Sequence, residues 1–202
     1  YCPYLSAIIN EMEPMKTSII ILFSLLIVYD LNGQTSIEKD NSVQKIEGYS
    51  NLFRYQNFYL GGQPTIEELR WLKLQGVTRI INLRSEEENK VYSDYAYNEK
   101  SIAEESGFEY INIPVDGTKD YTAEKLEEVS NKLSTNDKIL LHCNSAGRVT
   151  TFFMAYLIKS RGFTINKAVE LGKKLKYSNP LEQLLGIEIN MEVSKDGFKN
   201  NK

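Results

Sequence analysis

The chain is poor in the residues that hold metal ions or cross-link small domains. It contains two cysteines and one histidine among 202 residues. A structural zinc ion commonly takes four ligands, most often from Cys and His, and a disulfide framework needs more than the single pair that Cys2 and Cys143 could form. We therefore expect neither a bound metal nor a disulfide scaffold.

The chain also lacks an excess of positive charge. Twenty-four Lys and Arg residues stand against 27 Asp and Glu residues, which gives a net charge of −3. Nucleic-acid-binding surfaces are usually basic, so we expect no nucleic-acid partner. A hydrophobic content of 42% and a charged content of 25% are those of an ordinary globular protein.

Only one long hydrophobic run is present, and it lies near the amino terminus. Met15 and Lys16 precede an uncharged stretch of 13 residues, 17–29, which is the layout of a secretory signal peptide. We expect a signal peptide from Met15 to about Gly33, with residues 1–14 as upstream sequence. The stretch is shorter than the roughly 20 residues that a spanning helix needs, so a membrane anchor or a buried core helix is the less favoured alternative.

The predicted cleavage divides the chain. It implies a secreted or periplasmic protein with no stable membrane insertion, and it leaves Cys143 as the one cysteine of the mature chain. Residues 34–50 are polar and without a period, which predicts a linker. We predict one domain over residues 51–190 and a flexible tail over 191–202.

Strand and helix patterns alternate within the predicted domain. β-Branched and apolar runs predict strands, and apolar residues at helical spacing behind a capping residue predict helices. Predicted strands cover 58–62, 77–83, 108–113 and 138–142; predicted helices start at Thr65 (with Glu68 in capping-box spacing), Ser93, Thr122, Gly147, Thr164 and Pro180. Such alternation predicts an α/β fold with a mainly parallel sheet of four to five strands and helices on both faces. Ligands of such folds bind at the carboxyl ends of the strands, here the loops 84–90, 114–121 and 143–148.

The loop from Cys143 to Arg148 carries the strongest chemical signal. It follows a predicted strand and opens a predicted buried helix, and His142 directly precedes it. The amide groups of Asn144, Ser145, Ala146 and Gly147 would form an anion cradle at the helix start. The same positive field favours the thiolate form of a cysteine, and the planar guanidinium of an arginine can grip two oxygens of a tetrahedral anion. The nucleophile and the anion site are therefore predicted to coincide.

This segment resembles the phosphate-binding loop of cysteine-dependent protein phosphatases. The region from Gly162 to Leu171 is similar to dual-specificity phosphatases, and segments 59–65 and 79–84 are similar to the phosphatase-like domain of the beta-lactamase hydrolase-like family. The resemblance covers about residues 51–187. It implies a three-layer cysteine-phosphatase-like sandwich that acts on a phosphorylated protein or small molecule without a metal or other cofactor, and it leaves the oligomeric state open.

The loop departs from the phosphatase pattern in three places. Four residues instead of five separate Cys143 from Arg148, Ala146 stands where a glycine is usual, and Val149 replaces the Ser or Thr that stabilises the departing thiolate. Thr150 or Thr151 is the candidate to replace that hydroxyl. The four-residue spacing also occurs in rhodaneses, so a sulfurtransferase and a non-catalytic phosphate or phosphoprotein binder are the alternative functions.

The resemblance implies a role for each candidate residue. Cys143 would attack phosphorus, Arg148 and the loop amides would bind the phosphate oxygens, and His142 would orient the loop. The proton donor would be Asp116 or, as second choice, Asp120, although Asp116 beside a glycine also suits a turn. A further phosphate contact could come from Arg84, although the neighbouring glutamates, 86–88, have the pattern of a solvated face.

Overall fold

The carboxyl ends of four parallel strands meet beside Cys143. The computed structural model describes residues 41–49, 51–177 and 180–187, within the unit Lys39–Lys202. In chain order the strands are β1 (Gln44–Lys45), β2 (Leu52–Tyr55), β3 (Phe58–Gly61), β4 (Arg79–Asn82), β5 (Glu109–Asn112) and β6 (Ile139–His142). Their order in the sheet is β1-β2-β3-β6-β4-β5.

The central strand β6 runs parallel to both of its neighbours. His142 is paired with Gly61 of β3 and with Asn82 of β4, and Asn82 is in turn paired with Asn112 of β5. The added strands β1 and β2 are antiparallel. The predicted α/β class with a mainly parallel sheet is confirmed, with six strands where four to five were expected.

Helices cover both faces of this sheet. They are α1 (Ile66–Leu74), α2 (Glu86–Tyr95), α3 (Glu99–Glu105), α4 (Ala123–Leu133), α5 (Gly147–Arg161), α6 (Ile165–Lys174) and α7 (Leu181–Leu185). Successive strand residues point to opposite faces. Accordingly, Ile81 and Leu141 join the core under α4 to α7, whereas Ile80 and Leu140 join the core under α1 and α3. The predicted three-layer arrangement follows from these two cores.

Capping residues start α1, α4 and α6 where the sequence predicts. Thr65 and Glu68 form a reciprocal capping box at α1. The hydroxyls of Thr122 and Thr164 accept backbone N–H groups at α4 and α6. Each such cap satisfies a donor that the first helical turn leaves unpaired. Ten residues of α5 are buried, as its nearly continuous apolar pattern predicts.

Three local predictions are wrong. Within the predicted linker 34–50, residues 44–45 form edge strand β1, which is too short to show a period in the sequence. The predicted loop 84–90 contains most of the first two turns of α2. This helix has no buried residue, so its sequence is polar and shows no apolar face at helical spacing. The predicted helix over 93–106 is two helices, α2 and α3, separated at 96–98 by Ala96 in a non-helical conformation and Asn98, which caps α3.

The signal peptide predicted from Met15 to Gly33 and the tail predicted over 191–202 lie outside the described residues. In the part of the chain that the structure describes, no helix is long and apolar enough to cross a membrane.

Candidate active site

Cys143 lies where the central strand passes into the loop before α5. Its N–H donates to the carbonyl of Gly61 over 3.3 Å, and the N–H of Leu83 donates to the carbonyl of His142 over 2.8 Å. Cys143 is 1% exposed and is not in a disulfide. The loop start is thereby held between the ends of β3 and β4.

Ala146 turns the loop into the helix. Its φ is +72° and its ψ is −8°, which is the left-handed conformation, and it is the N-cap of α5 without a side-chain cap. The first N–H groups of a helix have no partner inside it, and the first turn of α5 contains no acidic residue. The loop therefore ends at a partly positive helix terminus that suits an anion.

The outer side of the loop packs on the residues after β3. Gln63 donates its N–H to the carbonyl of Asn144 over 3.0 Å, and Gly62 forms a bridge with Ser145. A Cβ added at Gly62 would lie 3.0 Å from that same carbonyl oxygen, so this close approach favours a glycine. The backbone N–H of Gln63, just after β3, thus holds the carbonyl of Asn144.

Arg148 is held by oxygen atoms from three other segments. Its Nη1 donates to the carbonyls of Val115 (2.7 Å) and Leu83 (3.2 Å) and to Oε2 of Glu88 (2.7 Å), and its Nη2 donates to Oε1 of Glu88 (2.6 Å). A guanidinium has five N–H donors, and these contacts engage the two of Nη1 and one of Nη2. The Nε–H and the second Nη2–H form the remaining fork, and the Cys143 side chain is close enough for its charge to act on Arg148.

The charges at Arg148 stabilise each other. Burial lowers the pKa of Arg148, but the hydrogen bond with Glu88 and the negative charges of Cys143 and Glu88 outweigh burial and raise that pKa above its ordinary value. Burial by itself would raise the pKa of Glu88. The hydrogen bonds from Arg148 and Ser85 outweigh burial, so the pKa of Glu88 is below its ordinary value. Glu88 therefore belongs to the site, and the prediction that glutamates 86–88 form only a solvated face is wrong for this residue.

A cleft of about 370 Å³ opens beside the loop. Its walls are Ser85, Glu88, Asp116, Gly117, Thr118, Tyr121, Ser145, Gly147 and Arg148. They come from the loops after β4, β5 and β6, as expected for a parallel sheet. The cleft brings together four of the predicted site residues, namely Asp116, Ser145, Gly147 and Arg148.

Asp116 and Asp120 are placed differently. Asp116 lines the cleft and its carboxylate is ion-paired with Lys119 at the surface. Asp120 ends the 3₁₀ turn Gly117–Asp120 and accepts the N–H of Asp116 on Oδ2 over 2.6 Å. Asp120 is absent from the cleft lining. Of the two carboxylates, Asp116 lines the cleft, and Asp120 holds the backbone of Asp116.

Arg84 and Thr150, the other candidates, lie away from this cleft. Arg84 is 4% exposed; it donates to Gln63 and, over 2.6 Å, to the carbonyl of Glu88, and it lines another cavity beside α2 and α3. The hydroxyl of Thr150 donates to the carbonyl of Ala146 over 2.9 Å and is buried. The hydrogen bond to Ala146 satisfies the Thr150 hydroxyl at the start of α5. Neither Arg84 nor Thr150 lines the cleft.

His142 is fully buried under the loop. Its Nε2 lies 2.7 Å from Oε1 of Glu99, and its Nδ1 lies 3.4 Å from the carbonyl oxygen of Cys143. Glu99, the first residue of α3, is 6% exposed. Burial raises the pKa of Glu99, but the close His142 side chain and the hydrogen bond from Gln63 hold it below its ordinary value.

Three residues near the loop escaped the sequence analysis. For Glu88 the sequence carries a signal for the start of a helix only, because Ser85 and Glu88 have the spacing of a capping box. Glu99 and Tyr121 had none, since each reaches the site only through the tertiary fold. Tyr121 lines the cleft, and burial, with the nearby Cys143 charge, raises its pKa to about 12 against the opposing charge of Arg148. Among the described residues no group of three His, Cys, Asp or Glu side chains is arranged to hold a metal ion.

Comparison with known proteins gives a family and a fold. The family PTP-NADK, described as DSP-PTPase phosphatase fused to NAD+ kinase, matches residues 32–183. A comparison with curated proteins finds no match.

Three solved structures share the fold of this chain. A phosphatase-like DUF442 protein of Shewanella putrefaciens superposes with a TM-score of 0.53 at 20% identity, over 69% of this chain and 91% of that chain. P. aeruginosa TpbA, solved as a cysteine-to-serine variant with phosphotyrosine, gives 0.52 at 13% identity, over 73% and 96%. The kinase-associated phosphatase, with its catalytic-site cysteine replaced by serine, gives 0.50 at 18% identity, over 63% and 81%.

Proposed function

Because the chain belongs to the family of dual-specificity-type protein tyrosine phosphatases described as fused to NAD+ kinase, we propose that it is a cysteine-dependent phosphomonoesterase. The observation that supports this most is the position of the Arg148 donor fork, which lines the cleft and lies close enough to Cys143 for the two side chains to interact. A phosphate monoester bound to that fork and to the loop amides would present phosphorus to the sulfur. The substrate is a phosphorylated protein or small molecule, which the enzyme meets outside the cell or in the periplasm.

The first step is nucleophilic attack by the Cys143 thiolate. A sulfur–phosphorus bond forms and the phosphorus–oxygen bond to the leaving group breaks, which gives a thiophosphate ester. Negative charge on the equatorial oxygens is met by Arg148 and by the amides of the loop 144–147. The leaving alkoxide or phenoxide takes a proton from the carboxylic acid of Asp116, the aspartate that lines the cleft.

The second step regenerates the enzyme. The Asp116 carboxylate accepts a proton from water, whose oxygen attacks phosphorus and displaces the Cys143 thiolate. Inorganic phosphate is the product. No oxidant, reductant or metal enters this balance.

The test is hydrolysis of para-nitrophenyl phosphate by the purified chain. Cys143→Ser should abolish turnover. Arg148→Lys keeps the charge but loses the fork, and it should lower kcat/KM by about 100-fold. The matched control is Arg70→Lys, because Arg70 is exposed on α1 and has only a surface ion pair with Glu67.

The alternatives give different results in the same preparation. Thiosulfate-dependent formation of a Cys143 persulfide without phosphate release would indicate a sulfurtransferase. Phosphate binding that depends on Arg148, with no turnover, would indicate a binding module. Phosphate release that persists in Cys143→Ser would refute the proposal.

A further inference from the structure

His142 makes its closest side-chain contact with a carboxylate outside the loop. Glu99 is 6% exposed and His142 is 0% exposed, so water solvates neither side chain. Transfer of a charged group out of water is costly unless a partner compensates it. The 2.7 Å separation between Nε2 and Oε1 supplies that partner. Retention of such a pair directly beneath the loop calls for a reason beyond packing.

Glu99 is itself fixed by side chains from other segments. Its second oxygen accepts Nε2 of Gln63 over 2.7 Å. Gln63 accepts Nη1 of Arg84, and Arg84 donates through Nη2 to the carbonyl of Glu88. The Glu88 carboxylate then binds Arg148. One chain of polar contacts therefore connects His142, at the start of the loop, with Arg148, at its end.

The imidazole of His142 has little freedom in this arrangement. Nε2 faces Glu99, and Nδ1 faces the carbonyl of Cys143. Rotation of the ring would break the contact between Nε2 and Glu99 and would move Nδ1 away from the carbonyl of Cys143. The peptide that follows Cys143 is thus held by the ring, and the ring is held by Glu99.

The loop needs such support because it is strained and short. Ala146 has a φ of +72°, a conformation that costs a residue with a Cβ about 1–2 kcal/mol. The surrounding contacts must compensate this cost if the sulfur is to stay aimed at the anion site.

We propose that Glu99 is a positioning residue, which fixes the imidazole of His142 and through it the orientation of Cys143. Glu99 does not touch the substrate. The expected effect on turnover rests on the proposed function. The expected effect on the reactivity of the Cys143 thiol does not depend on it.

The test is Glu99→Gln, which preserves size and the contact with Gln63. It should lower kcat for para-nitrophenyl phosphate about 10-fold or more while KM changes less than about 3-fold, because orientation and not binding is lost. The rate of alkylation of Cys143 by iodoacetamide should change by a comparable factor. Glu104→Gln, on the same helix with only a 3.9 Å surface pair to Lys100, is the control and should leave both rates unchanged.

A double-mutant cycle separates positioning from a general loss of stability. In a His142→Asn background, Glu99→Gln should have no further effect on alkylation, because the residue it acts through is gone. Additive effects of the two changes, or an alkylation rate equal to that of wild type in folded Glu99→Gln, would overturn the proposal. Alkylation uses no phosphate ester, so this readout remains decisive even if the wild-type chain hydrolyses none. If Glu99→Gln does not fold, Gln63→Leu, which removes the second contact of Glu99, provides the same comparison.

Discussion

Replacement of Glu88 by glutamine removes the charge that faces Arg148 and keeps the side-chain length. The carboxylate accepts two hydrogen bonds from Arg148, of 2.7 and 2.6 Å, and its Oε2 also accepts the N–H of Ser85. Glutamine retains one acceptor oxygen, so the helix cap can persist. The substitution therefore isolates the ion pair from the cap.

The size of the effect follows from burial. A hydrogen bond to a charged group contributes about 1.5–3 kcal/mol, and the 32% exposure of Glu88 and 14% exposure of Arg148 allow partial screening. We expect a loss of about 1–2 kcal/mol, which for a chain of this size lowers Tm by about 2–8 °C. Because Arg148 then loses the charged partner and its hydrogen bond at Nη2, kcat/KM should fall by about 10-fold.

The pH dependence of this loss has a definite sign. The pKa of Glu88 is below its ordinary value in the folded chain, so its stabilisation is complete above the unfolded pKa of about 4.3 and is lost as the pH falls through the folded pKa. The difference in Tm between wild type and Glu88→Gln should be full at pH 7 and shrink below about pH 4.

Thermal unfolding followed by circular dichroism, with para-nitrophenyl phosphate kinetics, measures both effects. Glu87→Gln is the matched control, since Glu87 is exposed in the same helical turn. A Tm and a kcat/KM for Glu88→Gln equal to those of the control would refute the reasoning that Glu88 holds Arg148.

Three further changes test the loop and the proton donor. Gly62→Ala would place a Cβ 3.0 Å from the Asn144 carbonyl oxygen; we expect a loss of about 1–3 kcal/mol in denaturant unfolding, and unchanged stability would contradict the close approach. Ala146→Gly should relieve about 1–2 kcal/mol of strain and lose about 0.8 kcal/mol of methyl burial, so a clear fall in unfolding free energy would argue against strain. Asp116→Asn should lower kcat about 100-fold to 10,000-fold for an alkyl phosphate, with a smaller effect at Asp120; the reverse order would exchange their roles.

The sequence predicts best what depends on neighbours along the chain. The capping box at Thr65 and the caps at Thr122 and Thr164 are local hydrogen bonds, and each appears at the predicted residue. The buried helix after Cys143 is confirmed for a similar reason, because apolar residues on all sides leave a helix no exposed face. Local patterns also predicted most of the parallel sheet.

Features that arise from tertiary contacts escaped prediction. Leu74, the last residue of α1, is 84% exposed although it is as apolar as the buried Leu69 and Leu72 of the same helix. No local pattern indicates that Glu88 would meet Arg148, or that Glu99 would meet His142, because these partners are 60 and 43 residues apart in the chain. The residues that support the loop were therefore missed although the loop itself was identified.

The central claim is that Cys143 carries the phosphoryl group during turnover. The most direct measurement is acid quenching of the enzyme during hydrolysis of para-nitrophenyl phosphate, followed by mass spectrometry of its peptides. The account predicts a phosphoryl group on the peptide that contains Cys143 in the wild-type chain and none in Cys143→Ser, which should also release no phosphate. Phosphate release by Cys143→Ser at the wild-type rate, with no adduct on Cys143 in the wild type, would contradict the account.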